Sequence, residues 1–258
     1  MTIVLYATLA LASCEKHDKE EDEKVEDVIL LESSYVSTGH NDSNTVYEYD
    51  AQHRLTKRLM TPSMSSPRED KIIYRANEIV LVTDGWKTTF TQNGNKISFV
   101  TGANKSFEIE LNAQGLPVKQ TYIQVYGSSY WEMQTSTFSW ENGNLIQQGW
   151  EQYREEDGIE YYSIGTVTYT YDTMKSPFYY CTTPKWFLMY LLGIDYCSVN
   201  NMETAKSSEK YSSKYGANSY VSTQTLVNTY NDDGFLVTRT EAGNTSGHFR
   251  PRFYYTNQ

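Results

Sequence analysis

The side chains best suited to holding a ligand are five aromatic residues in the middle of the chain, namely Tyr126, Tyr130, Trp131, Trp140 and Trp150. Their rings offer a flat apolar face and a polar edge, and nearby Asn and Gln residues supply hydrogen-bond donors and acceptors. This combination suits the face of a sugar, and we expect a carbohydrate or peptide ligand. The same residue types also build strands and cross-strand pairs, so a purely architectural role is the alternative.

Cysteine chemistry is restricted to three residues, Cys14, Cys181 and Cys197. If Cys14, near the N-terminus, is covalently modified, only Cys181 and Cys197 are left to form a disulfide, and they lie on either side of an apolar segment. A disulfide between them would stabilise the fold by roughly 3 kcal/mol by closing the intervening loop. Two buried free thiols are the alternative, because the sequence does not reveal the distance between the side chains.

Other chemistry has little support in the sequence. The four histidines show no metal-ligand spacing, and there is no Gly-x-Ser-x-Gly motif and no glycine-rich phosphate loop. The net charge of −10 leaves no basic face for nucleic acid. We therefore expect a non-enzymatic protein with no metal, no cofactor, no catalytic residue and no nucleic-acid partner. The enzymatic alternative is a hydrolase with carboxylates that converge inside the fold.

The elements that would position these side chains are short strands. From Val28 onward, segments that alternate polar and apolar residues are separated by turns such as Asn93-Gly94 and Asn142-Gly143. We predict an all-β fold, an antiparallel up-and-down meander of about fourteen strands that rolls or closes into a water-soluble barrel. Residues 198–217 lack clear alternation, which predicts an irregular excursion with one weak strand.

One dense apolar run, Trp186 to Leu192, interrupts this pattern. Thr183 can cap a helix, Pro184 fits the first helical position, and Gly193 fits the position after the last turn. The sequence therefore predicts a short helix over about 184–192. Because the run is apolar on all sides, we expect the helix to be buried on every side, as a plug inside the sheet.

The N-terminus resembles a bacterial lipoprotein signal. A short apolar run ends in Leu11-Ala12-Ser13-Cys14, and the resemblance implies that Cys14 carries the lipid of a membrane anchor. Residues 15–27 contain eight acids and three lysines, a local net charge of −5 that is typical of a solvated tether. The predicted organisation is a signal peptide over 1–14, an acidic tether over 15–27 and a single barrel-like domain over 28–258.

A further resemblance rests on Tyr47-Glu48-Tyr49-Asp50 followed by Arg54-Leu55, and on Lys175-Ser176-Pro177-Phe178 before the helix. These segments resemble tyrosine–aspartate (YD) hairpin repeats and a family of bacterial surface lipoproteins that carry degenerate copies of them. The resemblance implies a porin-like barrel anchored to the outer membrane and exposed at the cell surface. The function expected of such a protein is ligand binding, and the alternative is an accessory subunit that docks on an outer-membrane protein.

Overall fold

The computed structural model describes residues 28–37, 42–101, 104–126, 130–243 and 251–256. Within these ranges sixteen antiparallel strands form a closed barrel, each strand pairing with its neighbours in sequence and the first with the last. The all-β meander is confirmed, with sixteen strands where about fourteen were expected. The strands are β1 (Leu31–Ser37), β2 (Asp42–Tyr49), β3 (Leu55–Pro62), β4 (Arg68–Tyr74), β5 (Glu78–Thr83), β6 (Trp86–Asn93), β7 (Lys96–Thr101), β8 (Lys105–Leu111), β9 (Pro117–Tyr126), β10 (Tyr130–Glu141), β11 (Asn144–Glu156), β12 (Ile159–Lys175), β13 (Asn200–Ser213), β14 (Gly216–Tyr230), β15 (Leu236–Glu241) and β16 (Arg252–Tyr255).

The two ends of the barrel are built differently. Leu31, at the start of β1, pairs with Tyr255, at the end of β16. Within the described chain one connection contains a helix; it joins β12 to β13 and lies at this same end of the barrel. We call it the plug end and the opposite one the loop end. The buried apolar side chains concentrate at the plug end.

Three hairpins at the plug end share one five-residue turn, which begins at Asp50, Asn112 and Asn231. In the first, Asp50 Oδ1 accepts hydrogen bonds from the backbone N–H groups of Gln52 (2.9 Å) and Arg54 (3.0 Å). Asn112 and Asn231 accept equivalent backbone bonds. The fourth residue of each turn has positive φ, and it is glycine in two of them but His53 (φ 61°) in the first. A short polar side chain therefore fixes each of these turns, which explains the recurring Asp or Asn.

The plug consists of helix α1 (Lys185–Leu192) followed by a 3₁₀ turn (Ile194–Tyr196). The predicted helix is confirmed, and Gly193 ends it at φ 97° with its N–H bonded to the Met189 carbonyl oxygen. The prediction that this helix is buried on every side is wrong. The first four apolar residues, Trp186 to Met189, are buried, whereas the side chain of Tyr190 is 39% exposed. One face of α1 thus remains in contact with solvent.

Polar contacts fasten both ends of α1 to the barrel. Arg58 on β3 donates one hydrogen bond to the Leu191 carbonyl oxygen (2.8 Å) and others to the fully buried carboxylate of Asp70 on β4. Such a cation favours the C-terminal end of a helix. The prediction that Thr183 caps α1 is wrong: its hydroxyl accepts a hydrogen bond from the Leu55 N–H (2.8 Å) on β3 instead.

Strands β10 to β14 form a tall wall, because they have 12 to 17 residues each whereas β3 to β8 have 6 to 8. The predicted irregular excursion over 198–217 is wrong, since β13 is a regular strand of 14 residues. Its alternation is hidden because both faces are polar: Lys206 and Lys210 point outward, while Ser207 and Glu209 face the lumen.

Charged pairs cover part of the outer surface of the barrel. Cross-strand contacts join Lys57 to Glu48 (2.9 Å) and Lys96 to Glu108 (2.9 Å), with most of these side chains solvent-exposed. Charged pairs of this kind are typical of a strand surface that is in contact with water rather than with the middle of a bilayer. No helix in the described part of the chain is long and apolar enough to cross a bilayer.

Candidate ligand-binding site

The best candidate site lies on the lumen side of the tall wall. Side chains alternate between the two faces of a strand, and the buried residues Ser136 and Ser163 identify the inward set. Strand register brings this set together in rows across the wall. We define the inner wall as Tyr130, Glu132, Gln134, Trp150, Gln152, Arg154, Tyr161, Ser163, Glu209 and Tyr211.

Hydrogen bonds hold the polar groups of the inner wall in place. Glu132 accepts bonds from the Tyr130 hydroxyl (2.6 Å) and from Gln152 Nε2 (2.5 Å). The Ser163 hydroxyl donates to Gln152 Oε1 at 3.5 Å. Partial removal from water, together with the hydrogen bond to Glu132, raises the pKa of Tyr130 to about 12. The phenol therefore remains a hydrogen-bond donor at neutral pH.

A recess of about 120 Å³ opens in the middle of the inner wall and is lined by Gln152, Arg154, Tyr161, Glu209 and Tyr211, among others. The Arg154 guanidinium carbon lies 4.4 Å from the centre of the Tyr161 ring, which orients the cation. Ligand pockets typically measure roughly 300–1,000 Å³, so the recess has room for one unit of a longer ligand.

Trp150 lies flat on the inner wall because residue 165 is glycine. A Cβ atom at Gly165 would come within 2.2 Å of Trp150 Cζ2. A glycine inside a strand often marks such a close approach. The indole ring thus presents an aromatic face beside the Gln and Glu side chains of the wall.

The structure separates the five predicted aromatic residues. Tyr130 and Trp150 belong to the inner wall, whereas Trp131 faces outward and packs against Tyr153, their ring centres 5.2 Å apart. Trp140 lies near the plug end and donates a hydrogen bond to the Pro117 carbonyl oxygen (2.6 Å), which is an architectural role. The side chain of Tyr126, the last residue of β9, lies outside the described part of the structure.

The inner wall also contains residues that the sequence analysis did not single out, chiefly Glu132, Gln152, Arg154 and Glu209. Their positions at intervals of two from Tyr130, Trp150 and Tyr211 are the signal that could have identified them.

The cysteine pair does not form a disulfide. Cys181 and Cys197 are both buried free thiols in the structure, so the alternative stated from the sequence applies. They pack in different apolar clusters, and the Cys197 thiol donates to the Ile194 carbonyl oxygen (2.9 Å). Burial raises the pKa of both thiols, that of Cys197 to about 12. The anchor site Cys14, the signal peptide over 1–14 and the tether over 15–27 lie outside the described residues.

Two larger grooves lie on the outer face of the wall, on either side of Tyr162. They measure about 480 and 520 Å³ and are lined by residues such as Glu160, Lys214, Ile164 and Lys210. Both are open, and most of their lining side chains are exposed. The inner wall is the better candidate because its polar groups are already oriented by hydrogen bonds, which lowers the entropy that ligand binding costs. No group of three metal-ligating side chains comes together within the described residues.

The closed antiparallel barrel has the architecture of porin-like proteins. The chain aligns with a porin-like protein from Bacteroides uniformis over 88% of its own length and 96% of that chain, with a TM-score of 0.51 and 12% identity. A porin-like protein from Bacteroides vulgatus aligns over 90% of this chain and 100% of that chain, with a TM-score of 0.42 and 12% identity. No protein-family model and no curated protein matches the chain. The alignment with the Bacteroides uniformis protein shows that the chain has a porin-like fold.

Proposed function

We propose that this protein is a non-enzymatic saccharide-binding protein of the bacterial envelope, which holds its ligand against the inner wall of the barrel. The observation that carries the proposal is the inner wall itself. Amide, carboxylate and guanidinium groups lie beside half-buried aromatic rings there. The apolar plug fills the other end of the lumen, so a ligand enters from the loop end.

A saccharide suits this surface for chemical reasons. Sugar rings present C–H groups that pack on indole and phenol faces, and their hydroxyl groups bond to side chains that both donate and accept. Trp150 and Tyr161 supply the faces, while Gln134 and Gln152 supply the amides. A peptide is the alternative ligand, since it could use the same amides through its backbone.

The neighbouring residues Tyr161 and Tyr162 provide a matched test, because they point to opposite faces of β12. The protein without residues 1–14 would first be screened against plant, host and bacterial polysaccharides, and a ligand found there would be titrated by calorimetry. We expect Tyr161→Ala to weaken binding at least about tenfold, which corresponds to the loss of one aromatic stacking contact. Tyr162→Ala should leave the affinity unchanged.

The reverse result, with binding lost in Tyr162→Ala and kept in Tyr161→Ala, would assign the ligand to the outer grooves and refute the inner-wall site. Absence of any saccharide ligand, combined with binding of a peptide, would refute the ligand class.

The proposal includes a lipid anchor at Cys14 and exposure at the cell surface, both inferred from the sequence. Replacing Cys14 by Ser should move the protein from the membrane fraction to the soluble fraction. Surface exposure predicts that protease added to intact cells degrades the wild-type protein. A wild-type protein that carries no lipid by mass spectrometry would contradict the anchor.

An enzymatic role is not part of the proposal; the carboxylate of Glu132 accepts hydrogen bonds from Tyr130 and Gln152, and we assign it to orienting these two side chains. A glycoside hydrolase uses a pair of carboxyl groups that flank the scissile bond. Hydrolysis of a bound oligosaccharide by the wild-type protein, lost in Glu132→Gln, would overturn this assignment.

A second candidate function, docking on another envelope protein, is supported by an apolar patch on the outer face. Strand register places Ile123, Met133, Tyr153 and Tyr162 in one row, next to Trp131. Met133 is 36% and Tyr162 41% exposed. Exposed apolar patches often mark interaction sites. Co-purification of a partner with the wild-type protein, lost in Trp131→Glu, would support docking, and an unchanged set of co-purified proteins would contradict it.

A further inference from the structure

Arg239 on β15 is a buried cation with no carboxylate in ion-pair contact within the described structure. Its side chain is only 5% exposed and lies inside the barrel, in register with Asn228 on β14. Its Nε donates to Asn228 Oδ1 at 3.2 Å. Nη2 is buried and has no hydrogen-bond partner among the residues that the structure describes. No carboxylate within these residues forms an ion pair with Arg239.

The nearest polar groups are already committed to other partners. The Asp172 carboxylate reaches Arg239 only through Asn228, whose Nδ2 lies 3.5 Å from Asp172 Oδ2. Asp172 also accepts hydrogen bonds from the Tyr230 hydroxyl and from the backbone of Met174. Two further tyrosines near Arg239 donate their hydroxyl groups to backbone oxygens, Tyr171 to Leu145 (2.7 Å) and Tyr255 to Leu236 (2.7 Å).

Solvent reaches the plug close to Arg239. Asp195, in the 3₁₀ turn of the plug, is solvent-exposed, and its charge interacts with that of Arg239. A solvent-exposed carboxylate therefore lies within electrostatic range of the buried guanidinium. A buried charge costs several kcal/mol unless it is paired, so this arrangement is expected where a ligand supplies the missing anion.

We propose that Arg239 is the receptor for an oxyanion carried by the ligand, and that the saccharide bound by this protein is acidic, with a uronic-acid carboxylate directed to the floor of the lumen. This inference rests on the proposed function and specifies its ligand class. The planar guanidinium favours a carboxylate because the two groups form paired hydrogen bonds.

The test compares D-glucuronate with D-glucose, each titrated into the wild-type protein and the Arg239→Gln and Arg239→Lys variants. Thermal unfolding and calorimetry are the measurements. We expect glucuronate to raise the Tm of the wild-type protein in a saturable way, while glucose at equal concentration has a much smaller effect. Arg239→Gln should weaken glucuronate binding by roughly 10- to 100-fold, the range for one charged hydrogen bond. Arg239→Lys should retain part of the affinity.

The unliganded variants separate a receptor from a structural residue. Since the guanidinium is unpaired, Arg239→Gln without ligand should unfold at the same Tm as the wild-type protein or at a higher one. A large loss of Tm would indicate a structural pairing and overturn the proposal, as would equal glucuronate binding by wild type and Arg239→Gln. Sodium sulfate that matches glucuronate in the wild-type protein alone would assign the site to inorganic anions and overturn the sugar-acid assignment.

Failure here can be told apart from failure of the proposed function. Tyr161→Ala tests the inner wall with neutral saccharides, which do not need Arg239. Neutral binding that depends on Tyr161 but shows no preference for acidic sugars would overturn only the role of Arg239.

Discussion

Gly165 is predicted to be essential for the shape of the inner wall, because its missing side chain makes room for the Trp150 ring. Gly165→Ala would place a Cβ atom 2.2 Å from Trp150 Cζ2 and 2.6 Å from two further ring carbons. Real Cβ atoms do not approach ring carbons this closely, so the indole must leave its position. Gly165 does not have the positive backbone φ that would make alanine unfavourable for a separate reason.

The magnitude follows from two opposing contributions. Overpacking of this kind costs about 1–3 kcal/mol, and replacing glycine by alanine inside a strand returns about 0.5–1 kcal/mol. Because the obstacle is a rigid ring, we expect a net loss of about 1–2 kcal/mol in the free energy of unfolding. Saccharide affinity should fall as well, since the displaced ring no longer offers its face to the ligand.

Gly149 on β11 provides the matched control. A Cβ atom there would meet the Thr137 hydroxyl at 2.9 Å, and this group can rotate away. In urea unfolding followed by circular dichroism, Gly149→Ala should therefore have wild-type stability within about 0.5 kcal/mol, or be slightly more stable. The reasoning would be refuted if Gly165→Ala and Gly149→Ala had the same stability and both bound the ligand normally.

Three further predictions concern the plug and the lumen floor. Arg58→Met leaves the buried Asp70 carboxylate without its main partner and should lower the free energy of unfolding by about 3 kcal/mol. The double variant Arg58→Met/Asp70→Leu should recover most of this loss in urea unfolding. Losses that simply add in the double variant would contradict a plug that is fastened by this pair. Cys181 and Cys197 should both be alkylated in denaturant and be counted as free thiols by mass spectrometry, and both should react far more slowly in the folded protein. A protein mass two units below that of the reduced chain, with neither residue alkylated, would show a disulfide instead. The protein around Asp195 removes part of the water from its carboxyl group, although the side chain keeps contact with solvent, and this raises its pKa above 3.8. The charged form therefore destabilises the fold as pH rises through and above that value. Asp195→Asn should unfold at higher urea than wild type at pH 7 and at the same urea below pH 3.8, and a difference that grows toward acid pH would contradict this sign.

The parts of the fold that could be predicted from the sequence are those with a strong local signal. The α1 helix could be predicted because a dense apolar run with Pro184 before it and Gly193 after it has few other conformations. The tight turns follow from Asn-Gly pairs such as Asn142-Gly143, whose residues both have positive φ.

The missed features depend on contacts that are distant in sequence. Strand β13 could not be predicted because its lumen-facing side chains are polar, so that Ser207 and Glu209 give no alternation of polar and apolar residues. The exposure of Tyr190 depends on how much of the lumen the plug fills, which a local pattern cannot specify.

The candidate site was only partly accessible for the same reason. An aromatic-rich stretch was visible, yet the face to which each ring points depends on strand register within a closed barrel. Trp131 and Trp150 read alike in the sequence, but one lies outside and the other inside. The fit between Trp150 and Gly165 joins two strands and appears only once their pairing is known.

Because Trp150 lies on the inner wall and Trp131 on the outer face, the two tryptophans can report directly whether the ligand binds on the inner wall. Ligand would be titrated while tryptophan fluorescence is recorded for the wild-type protein, Trp150→Phe and Trp131→Phe. We expect a saturable change in fluorescence that is lost in Trp150→Phe and retained in Trp131→Phe. A change that persists in Trp150→Phe and disappears in Trp131→Phe would place the ligand on the outer face and contradict binding at the inner wall.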